Sequence, residues 1–334
     1  MVATSTIRIR WISQGLSIEE LGVAIMASAS TDKPNTKSYM AHPPHPPICD
    51  YEGSDYQSSF WEKGERAYED RVEAISLRRL LPRSGNLLLE VGAGAGRNTP
   101  RYAGFKRVVL LDYALSQLQQ ARERLGNEAR YIFVAANAYR LPFVPGLFDA
   151  VTMIRTLHHM AEASLAIEQV RKVLQPEGIF ILEYANKQNI KAILRYLLGR
   201  QDWSPFSPEP IEFAELNFDF HPVAIRRWLR DNDFKVERQL TVSHYRMGVI
   251  KRIIPLSLLA TMDSIASFTG DWWQLSPSVF VRARAVGNSP IAEGSFFCCP
   301  ACGHHPLKEA SKRLDCPSCS REWVIRDGIY DFRV

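Results

Sequence analysis

The sequence predicts an α/β protein built on a doubly wound, seven-stranded sheet, with a small cysteine-rich domain behind it. Short apolar runs alternate with helical segments through the middle of the chain, and such alternation produces a parallel sheet with right-handed crossovers. A glycine-dense turn, Gly92 to Gly96, follows the first run. Two Cys-Pro-x-Cys pairs lie near the C-terminus, at 299–302 and 316–319.

Seven segments have the composition of strands, because they are short and rich in leucine or β-branched residues. They cover residues 87–91, 108–111, 131–135, 150–154, 179–184, 235–242 and 278–286. Helical periodicity covers 56–81, 116–125 and 161–174, and in the last of these Glu168 and Lys172 have the i, i+4 spacing of an ion pair. A further helix is expected between the last two strands. It would contain Ile253, Leu256, Leu259 and Met262.

Three domains are predicted from shifts in composition. Residues 1–48 are rich in Ser, Thr, Ala and Pro without a sustained apolar period, which is typical of a disordered extension. Residues 49–287 carry the alternating elements, and within them 187–275 are expected to form a lid over a substrate. The segment Gly287-Asn288-Ser289-Pro290 has the composition of a linker, so residues 288–334 form the cysteine-rich domain.

The distribution of charged residues and cysteines indicates which kinds of site and which cellular compartment to expect. The formal net charge is +5 over 334 residues, and residues 187–256, with 12 basic and 8 acidic side chains, hold most of that excess. Five of the six cysteines fall between 298 and 319, which favours a metal site in a reducing cytoplasm over a distributed disulfide framework. The apolar segment 253–268 is too short for a membrane span, so no span is expected, and the cysteine usage predicts a cytoplasmic protein.

The turn after the first predicted strand has the form of a cofactor site. Gly92, Gly94 and Gly96 let the backbone approach a ligand closely, and the helix that follows directs free amide groups toward it. A dinucleotide site would need a glycine where Arg97 stands, which disfavours a nicotinamide cofactor. A glycine-rich turn without any ligand is the remaining alternative.

These residues resemble the first two motifs of the class I S-adenosylmethionine-dependent methyltransferases, over about residues 50–287. Glu90 precedes the Gly92-Ala93-Gly94-Ala95-Gly96 turn as the acidic residue does in that family, and Asp112 ends the next strand. The resemblance implies a Rossmann-like sheet and S-adenosyl-L-methionine as methyl donor. It assigns Asp112 to the ribose hydroxyls and Tyr113 to the adenine. It also implies cofactor contacts from Ala93 and Arg97 in the turn.

Further matches resemble the ubiquinone-biosynthesis-like branch of that family. They are Asn137-Ala138, Leu141-Pro142-Phe143, Phe148-Asp149-Ala150-Val151, Leu157-His158-His159 and Val173-Leu174-Gln175-Pro176-Glu177-Gly178. The family's usual aspartate before the alanine is Asn137 here, whose amide oxygen can still face an adenine amino group. Asn137 and Ala138 therefore complete the predicted cofactor site.

The methyl group of the donor is already activated, so the enzyme chiefly positions an acceptor in line with it. His158 and His159 follow a predicted strand at its carboxyl end, where α/β proteins bind ligands, and either one is a candidate base. The alternative for both is a structural role, one ring packed in the interior and the other capping a loop.

The four cysteines of the two pairs, Cys299, Cys302, Cys316 and Cys319, have the spacing of a structural zinc site. Each pair can form a knuckle whose backbone amides face its sulfur atoms, and two knuckles complete a tetrahedron. Cys298 is then a spare thiol, and His304 and His305 are alternative ligands. A domain of 47 residues buries little surface alone, so the metal is expected to stabilise its fold.

Residues 296–334 resemble the small zinc-ribbon activator subunit of tRNA, rRNA and release-factor methyltransferases, through the run from Trp323 to Phe332. That resemblance implies a ribbon packed on the methyltransferase domain in cis. Three functions follow from the sequence: methylation of a small molecule at oxygen or carbon, methylation of RNA or a translation protein with the ribbon as activator, and a non-catalytic cofactor-binding scaffold. The branch resemblance favours the first.

Overall fold

The computed structural model describes residues 46–54, 61, 66–126, 128–287, 292 and 294–333. Almost all of the predicted extension 1–48 lies outside the described residues, as does most of the stretch 56–65 of the first predicted helix. The residues from His45 onward form one compact unit.

Thirteen strands and seven α-helices follow one another along the described residues. The strands are β1 (Gly85–Val91), β2 (Phe105–Asp112), β3 (Tyr131–Ala135), β4 (Phe148–Met153), β5 (Leu174–Ala185), β6 (Ile211–Ala214), β7 (Asn217–Asp219), β8 (Phe234–Val242), β9 (Ser278–Ala285), β10 (Lys308–Ala310), β11 (Arg313–Asp315), β12 (Glu322–Arg326) and β13 (Ile329–Asp331). The helices are α1 (Ala67–Leu80), α2 (Leu115–Leu125), α3 (Ala163–Val173), α4 (Ile190–Leu197), α5 (Pro222–Asp231), α6 (Gly248–Ile253) and α7 (Leu256–Ala266).

The seven predicted strands form one sheet in the order β3-β2-β1-β4-β5-β9-β8, which confirms the predicted α/β class. Strands β1 to β5 run parallel, and β9 is antiparallel to both of its neighbours. The central strands are continuous apolar runs because helices cover both faces, so that Leu88 and Leu89, which point to opposite faces, are both fully buried. The carboxyl ends of β1 to β5 therefore share one edge of the sheet.

The sheet does not end at β3, because the cysteine-rich domain extends it to eleven strands. Strands β10 to β13 are joined in antiparallel pairs, and β13 lies parallel to β3 with Ile329 opposite Phe133 and Asp331 opposite Ala135. The amide of Phe332 continues this pairing by donating to the Ala135 carbonyl at 2.7 Å. The boundary at 287/288 stays a sequence prediction, since the sheet is continuous across it.

The cysteine-rich domain also shares the hydrophobic core of the main sheet. Cys299, Trp323 and Phe332 belong to the same buried cluster as Phe143 and Phe148. The ring of Phe297 lies between the two parts, with its centroid 5.0 Å from that of Phe332 and 5.8 Å from that of Phe143. Strand pairing and a common core thus hold this domain on the sheet in cis.

One predicted helix is wrong in its extent. The segment expected to form a single helix around Ile253, Leu256 and Met262 is divided into α6 and α7, because Pro255 cannot donate a helical hydrogen bond. The ion pair between Glu168 and Lys172 on α3 is present at 2.7 Å. Among the described residues, every helix is too short or too polar to cross a bilayer.

Candidate active site

A cavity opens at the carboxyl ends of β1, β2, β3 and β4, beneath the segment 48–51. Including its open mouth it encloses about 780 Å³ of space that protein atoms do not fill. Its lining consists of Ile48, Cys49, Tyr51, Gly92, Gly94, Leu111, Asp112, Tyr113, Gln117, Ala136, Asn137, Ala138, Tyr139, Arg155, Thr156, His159 and Met160. Six residues predicted for the cofactor and one of the two candidate histidines are therefore brought together.

The glycine turn forms the floor of this cavity. Gly92 has a φ of +69°, and a Cβ atom there would lie 2.1 Å from the Thr156 hydroxyl, so a larger residue would collide with the loop after β4. Gly94 has a φ of +53°, a conformation that residues with a side chain rarely adopt. The turn is tied to the next strand, since the Gly92 amide donates to the Leu111 carbonyl at 2.8 Å.

Asp112 lies at the end of β2 with its carboxylate fixed against the turn. One oxygen accepts from the Gly94 amide at 2.8 Å and the other from the Ala114 amide at 3.0 Å. Burial raises the pKa of Asp112, while these backbone donors oppose that rise. The carboxylate borders the cavity beside Tyr113, as the ribose and adenine assignments require.

Asn137 lines the cavity with its amide oxygen already engaged. That oxygen accepts from the Tyr139 amide at 2.9 Å, which closes a turn after β3. Because the oxygen holds this turn, the amide NH2 group is the donor that Asn137 offers to a ligand. Ala138 lies beside it in the lining.

The remaining predicted site residues, Glu90, Ala93, Gly96, Arg97 and His158, do not line the cavity. Glu90 is buried and accepts from the Thr99 hydroxyl at 2.6 Å, so its carboxyl group holds the turn from beneath. Desolvation raises the pKa of Glu90 to about 7 in spite of this bond. In this position Glu90 supports the turn, and its contact with a cofactor stays a prediction.

Arg97 belongs to a buried ion-pair network centred on Glu73 of α1. Arg97 donates to one Glu73 oxygen at 2.8 Å, and the Nε atom of Arg155 donates to the other at 2.8 Å. Burial alone would raise the pKa of Glu73, but Arg155 and Arg97 outweigh it and lower that pKa to about 2. Arg155, which has a φ of +60°, also lines the cavity. The network thus joins α1 to the two loops that border the cavity.

His159 is held by two hydrogen bonds that define its tautomer. Nδ1 lies 3.1 Å from the Leu216 carbonyl, which can only accept, so Nδ1 carries the proton. Burial lowers the pKa of His159, which favours the neutral ring, and Nε2 then accepts from the Tyr51 hydroxyl at 3.0 Å. An unprotonated nitrogen at the cavity wall is the arrangement that a general base needs.

His158 has a different position from its neighbour. Its ring centroid lies 4.0 Å from that of His159, and burial lowers its pKa well below the ordinary value. Its side chain does not line the cavity. The two candidate bases therefore differ in position, because only His159 lines the cavity.

Sequence reasoning missed the segment Pro46–Ser54, which covers the cavity with Ile48, Cys49 and Tyr51. Glu52 fixes this segment by accepting from the Leu115 and Ser116 amides at the start of α2, at 2.7 and 3.1 Å. These partners lie 63 and 64 residues away in sequence. The only signal in the sequence was that Glu52 is acidic and could therefore cap a helix N-terminus. No local pattern shows which helix, because the helix is distant in sequence.

The C-terminal residues of the chain reach the rim of the same cavity. Arg333 donates to Asp331 at 2.9 Å and lies 3.5 Å from Glu52, so it joins the end of β13 to the covering segment. Its guanidinium carbon is 6.0 Å from the centre of the Tyr113 ring. The cysteine-rich domain therefore borders the residue predicted to contact the adenine.

The four predicted metal ligands, Cys299, Cys302, Cys316 and Cys319, converge as expected. Their sulfur atoms all lie within 4.8 Å of one another, and all four cysteines are free. The amides of Ser318 and Cys319 face the Cys316 sulfur, as a zinc knuckle requires. Cys298 lies apart and contacts the Phe143 carbonyl at 3.2 Å. The donor set and its backbone shell fit a tetrahedral zinc ion.

Comparison with known proteins assigns the central part of this fold. Residues 89–182 match the family described as "Methyltransferase domain". The chain contains a methyltransferase domain. The match runs from β1 into β5 and includes the glycine turn, Asp112, Asn137 and His159, so the predicted family is confirmed for this segment.

Curated relatives of the methyltransferase domain include enzymes of several kinds. The chain is 29% identical over 134 residues to 27-O-demethylrifamycin SV methyltransferase of Amycolatopsis mediterranei, covering 38% of this chain and 49% of that protein. It is 34% identical over 110 residues to demethylmenaquinone methyltransferase of Clavibacter sepedonicus, covering 32% and 45%. The chain thus spans about half the length of the curated relatives it matches.

A solved S-adenosylmethionine-dependent methyltransferase from Mesorhizobium loti is also similar to the methyltransferase domain. It has a TM-score of 0.48 and 19% identity, covering 65% of this chain and 99% of that one.

Proposed function

We propose that the protein is an S-adenosylmethionine-dependent methyltransferase that methylates an oxygen or carbon atom of a small molecule. The observation that carries this proposal is the cavity in which the glycine turn, Asp112 and His159 meet at one edge of the sheet. Relatives over this segment carry names of both types, an O-methyltransferase of Penicillium expansum and a ubiquinone/menaquinone biosynthesis C-methyltransferase of Saccharophagus degradans.

The donor would lie across the turn between Gly94 and Asn137. In this proposal the Asp112 carboxylate accepts from the ribose hydroxyls, Tyr113 packs on the adenine, and the Asn137 amide donates to a ring nitrogen, since all three residues line the cavity. When bound, S-adenosylmethionine supplies a methyl group already activated for transfer. The protein then chiefly orients the acceptor and excludes water, for which the covering segment 48–51 is suited.

A hydroxyl or acidic carbon acceptor must also lose a proton. We assign this role to His159, whose Nε2 atom accepts from the Tyr51 hydroxyl. The acceptor proton would pass to the Tyr51 oxygen as the Tyr51 proton passes to Nε2, and the Leu216 carbonyl would stabilise the protonated ring through Nδ1.

The four-cysteine cluster would hold a structural zinc ion. Zinc would fix the two knuckles and, through β13 and Arg333, the rim of the cavity beside Tyr113. In this arrangement the ribbon acts as a stabilising partner of the methyltransferase domain in cis.

Titration calorimetry with S-adenosylmethionine on the zinc-replete protein tests the donor, and a heat signal with micromolar affinity is expected. A clear isotherm for a nicotinamide dinucleotide with no heat for S-adenosylmethionine would overturn the proposal. Incubation of cell extract with donor labelled in its methyl group, followed by separation of small molecules, RNA and protein, tests the acceptor. Label is expected in the small-molecule fraction, and label confined to RNA or protein would move the assignment to a macromolecular acceptor.

A further inference from the structure

Helix α4 presents an apolar face to solvent. Ile190, Leu194, Leu197 and Leu198 have exposed fractions of 56%, 53%, 69% and 65%. Their spacing of i, i+4, i+7 and i+8 places them on one side of the helix. Ala192 is buried and attaches the opposite side to the protein. An amphipathic helix normally buries this face, and α4 does the reverse.

Two tryptophans continue the exposed surface beside the start of α4. Trp272 and Trp273 are 76% and 68% exposed. Their loop is bound to the helix, since the Ile190 amide donates to the Leu275 carbonyl at 2.9 Å. We call the resulting surface the α4 patch. It consists of Ile190, Leu194, Leu197, Leu198, Trp272 and Trp273.

The charge on the helix segment of the α4 patch has one sign. Residues 187–201 contain four basic side chains, Lys187, Lys191, Arg195 and Arg200, and no acidic one. Lys191, Arg195 and Arg200 are exposed. On the helix, Lys191 and Arg195 follow directly after Ile190 and Leu194, so a cationic strip borders the apolar face.

The α4 patch lies at the functional edge of the sheet. Strand β5 ends at Ala185, and its carboxyl end shares the edge at which β1, β2 and β4 form the cavity. Helix α4 begins five residues later. A surface bound to this patch would therefore lie on the acceptor side of the molecule.

We propose that the α4 patch docks the protein on the surface of a bilayer that contains anionic phospholipid. Apolar side chains on one helix face, paired tryptophans and an adjoining cationic strip are the features by which interfacial helices enter a membrane surface. The docking itself does not depend on the proposed function. Only its consequence, that the acceptor is taken from the bilayer, rests on that function.

A second copy of this chain is the competing occupant. In a twofold contact the same patch would face itself, so Lys191 and Arg195 of one copy would approach the cationic strip of the other. Like charges at a short distance oppose such a contact, whereas anionic headgroups neutralise the strip. The charge therefore favours the bilayer.

Co-sedimentation of the full chain with vesicles tests the docking without cofactor or acceptor. We expect binding to equimolar phosphatidylcholine and phosphatidylglycerol at least ~10-fold stronger than to phosphatidylcholine alone, and weaker binding as salt is raised. The double substitution Leu194→Glu with Leu197→Glu should abolish binding. Val324→Glu, at a 41% exposed apolar residue of β12, is the matched control and should bind like the wild type.

The cationic strip is tested by Lys191→Gln with Arg200→Gln. Two charges near an anionic surface correspond to a loss of roughly 10-fold to 30-fold in partition, with binding to neutral vesicles unchanged. Arg195 is left in place because it also acts on the partly buried carboxylate of Asp219, whose pKa burial raises to about 6. The Asp112→Asn variant should sediment like the wild type while losing affinity for the methyl donor. The docking proposal and the proposed function can therefore be refuted independently of each other.

Three results would overturn the docking proposal. The first is wild-type protein that stays in the supernatant with both vesicle types. The second is a folded Leu194→Glu, Leu197→Glu variant that still sediments. The third is a wild-type dimer, measured by light scattering, that this variant converts to a monomer, which would assign the α4 patch to a second copy of the chain.

Discussion

The donor cavity, which opens at the carboxyl ends of β1 to β4, and the four-cysteine cluster differ in what their polar atoms contact. At the cavity, protein donors hold the Asp112 carboxylate in the lining and the Glu90 carboxyl group beneath the turn: Gly94 and Ala114 donate to Asp112, and Thr99 donates to Glu90. In the cluster, the four sulfur atoms have chiefly one another and a few backbone amides as neighbours. The polar groups of the cavity are therefore satisfied by the protein itself, whereas we expect the four-cysteine cluster to need a metal ion.

The two sites are nevertheless joined, because the ribbon is part of the same sheet and core. Strand β13 pairs with β3, and Arg333 links the end of β13 to Glu52 on the segment that covers the cavity. Loss of the ion should therefore disturb the cavity at its rim, near Tyr113, more than at its floor, near Gly92.

Zinc removal is expected to have the largest effect. Structural zinc supplies on the order of 10 kcal/mol of apparent folding free energy in small ribbons, so chelation or Cys316→Ser should unfold the ribbon. Cys316 is only 2% exposed, and its loss also opens the shared core. Metal content and amide hydrogen exchange over 296–333 measure the effect. Cys298→Ser, outside the cluster, is the control and should retain zinc. An unchanged melting temperature for Cys316→Ser would refute the expectation that the cysteine cluster, unlike the cavity, needs an ion.

Glu73→Gln should have the next largest effect on stability. It breaks the ion-pair network that joins α1 to the two loops bordering the cavity. The substitution leaves Arg97 and Arg155 facing a neutral amide in a buried position, which typically costs about 3–5 kcal/mol of unfolding free energy. Denaturant unfolding measures this loss. Glu168→Gln is the control, because its exposed pair with Lys172 contributes only about 0.2–0.5 kcal/mol.

The same carboxylate fixes the direction of a pH effect. The folded pKa of Glu73 is about 2, below its ordinary value of 4.5, so its contribution to stability is fully present above about pH 4.5. That contribution is lost as the pH falls through 2. In the Glu73→Gln variant the slope of stability over this window should be shallower, and an unchanged slope would contradict the network.

The sequence was sufficient for the parts of this molecule that follow a local rule. Short segments rich in leucine or β-branched residues identified all seven strands of the main sheet. The glycine turn and Asp112 are adjacent to strand ends that any parallel sheet brings together. The paired spacing of four cysteines likewise predicted their convergence. In each case the pattern that made the prediction and the residues that form the structure lie in the same short segments of the sequence.

The parts that were missed depend on contacts between distant segments. Tyr51 approaches His159 across 108 residues, and Glu52 caps a helix 63 residues away. The bond from the Thr99 hydroxyl that satisfies the buried Glu90 carboxyl group was likewise not predicted. The parallel pairing of β13 with β3 depends on which sheet edge is open, and strand composition does not encode that choice.

Asp112→Asn sharpens the comparison by testing whether the cavity is preformed. The variant should lose only about 1–3 kcal/mol of unfolding free energy, because one of the two backbone amides, that of Gly94 or that of Ala114, can still donate to the single amide oxygen while the other loses its acceptor. Donor affinity should fall by about 10-fold to 100-fold, since hydrogen bonds to a charged group contribute about 1.5–3 kcal/mol. Calorimetry measures the affinity. Asp231→Asn, at an exposed acid on α5, should bind the donor normally, and equal affinity in both variants would remove Asp112 from the site.

Tyr51→Phe should give the smallest effect and concerns the chemistry of the cavity. In this variant the acceptor would pass its proton directly to Nε2 of His159, so the loss is one hydrogen bond of about 1 kcal/mol, and methyl transfer should slow roughly fivefold while donor affinity is retained. The Tyr51 hydroxyl donates to Nε2 and so favours neutral His159, whose pKa burial already lowers below 6.5. Removal of the Tyr51 hydroxyl should raise that pKa and move the acidic limb of the rate profile to higher pH, because His159 then becomes protonated sooner as the pH falls.

The control is Tyr131→Phe, at the opposite end of β3, which should leave the acidic limb in place. A slower Tyr51→Phe enzyme with an unshifted limb would mean that Tyr51 positions the acceptor and that His159 carries no proton.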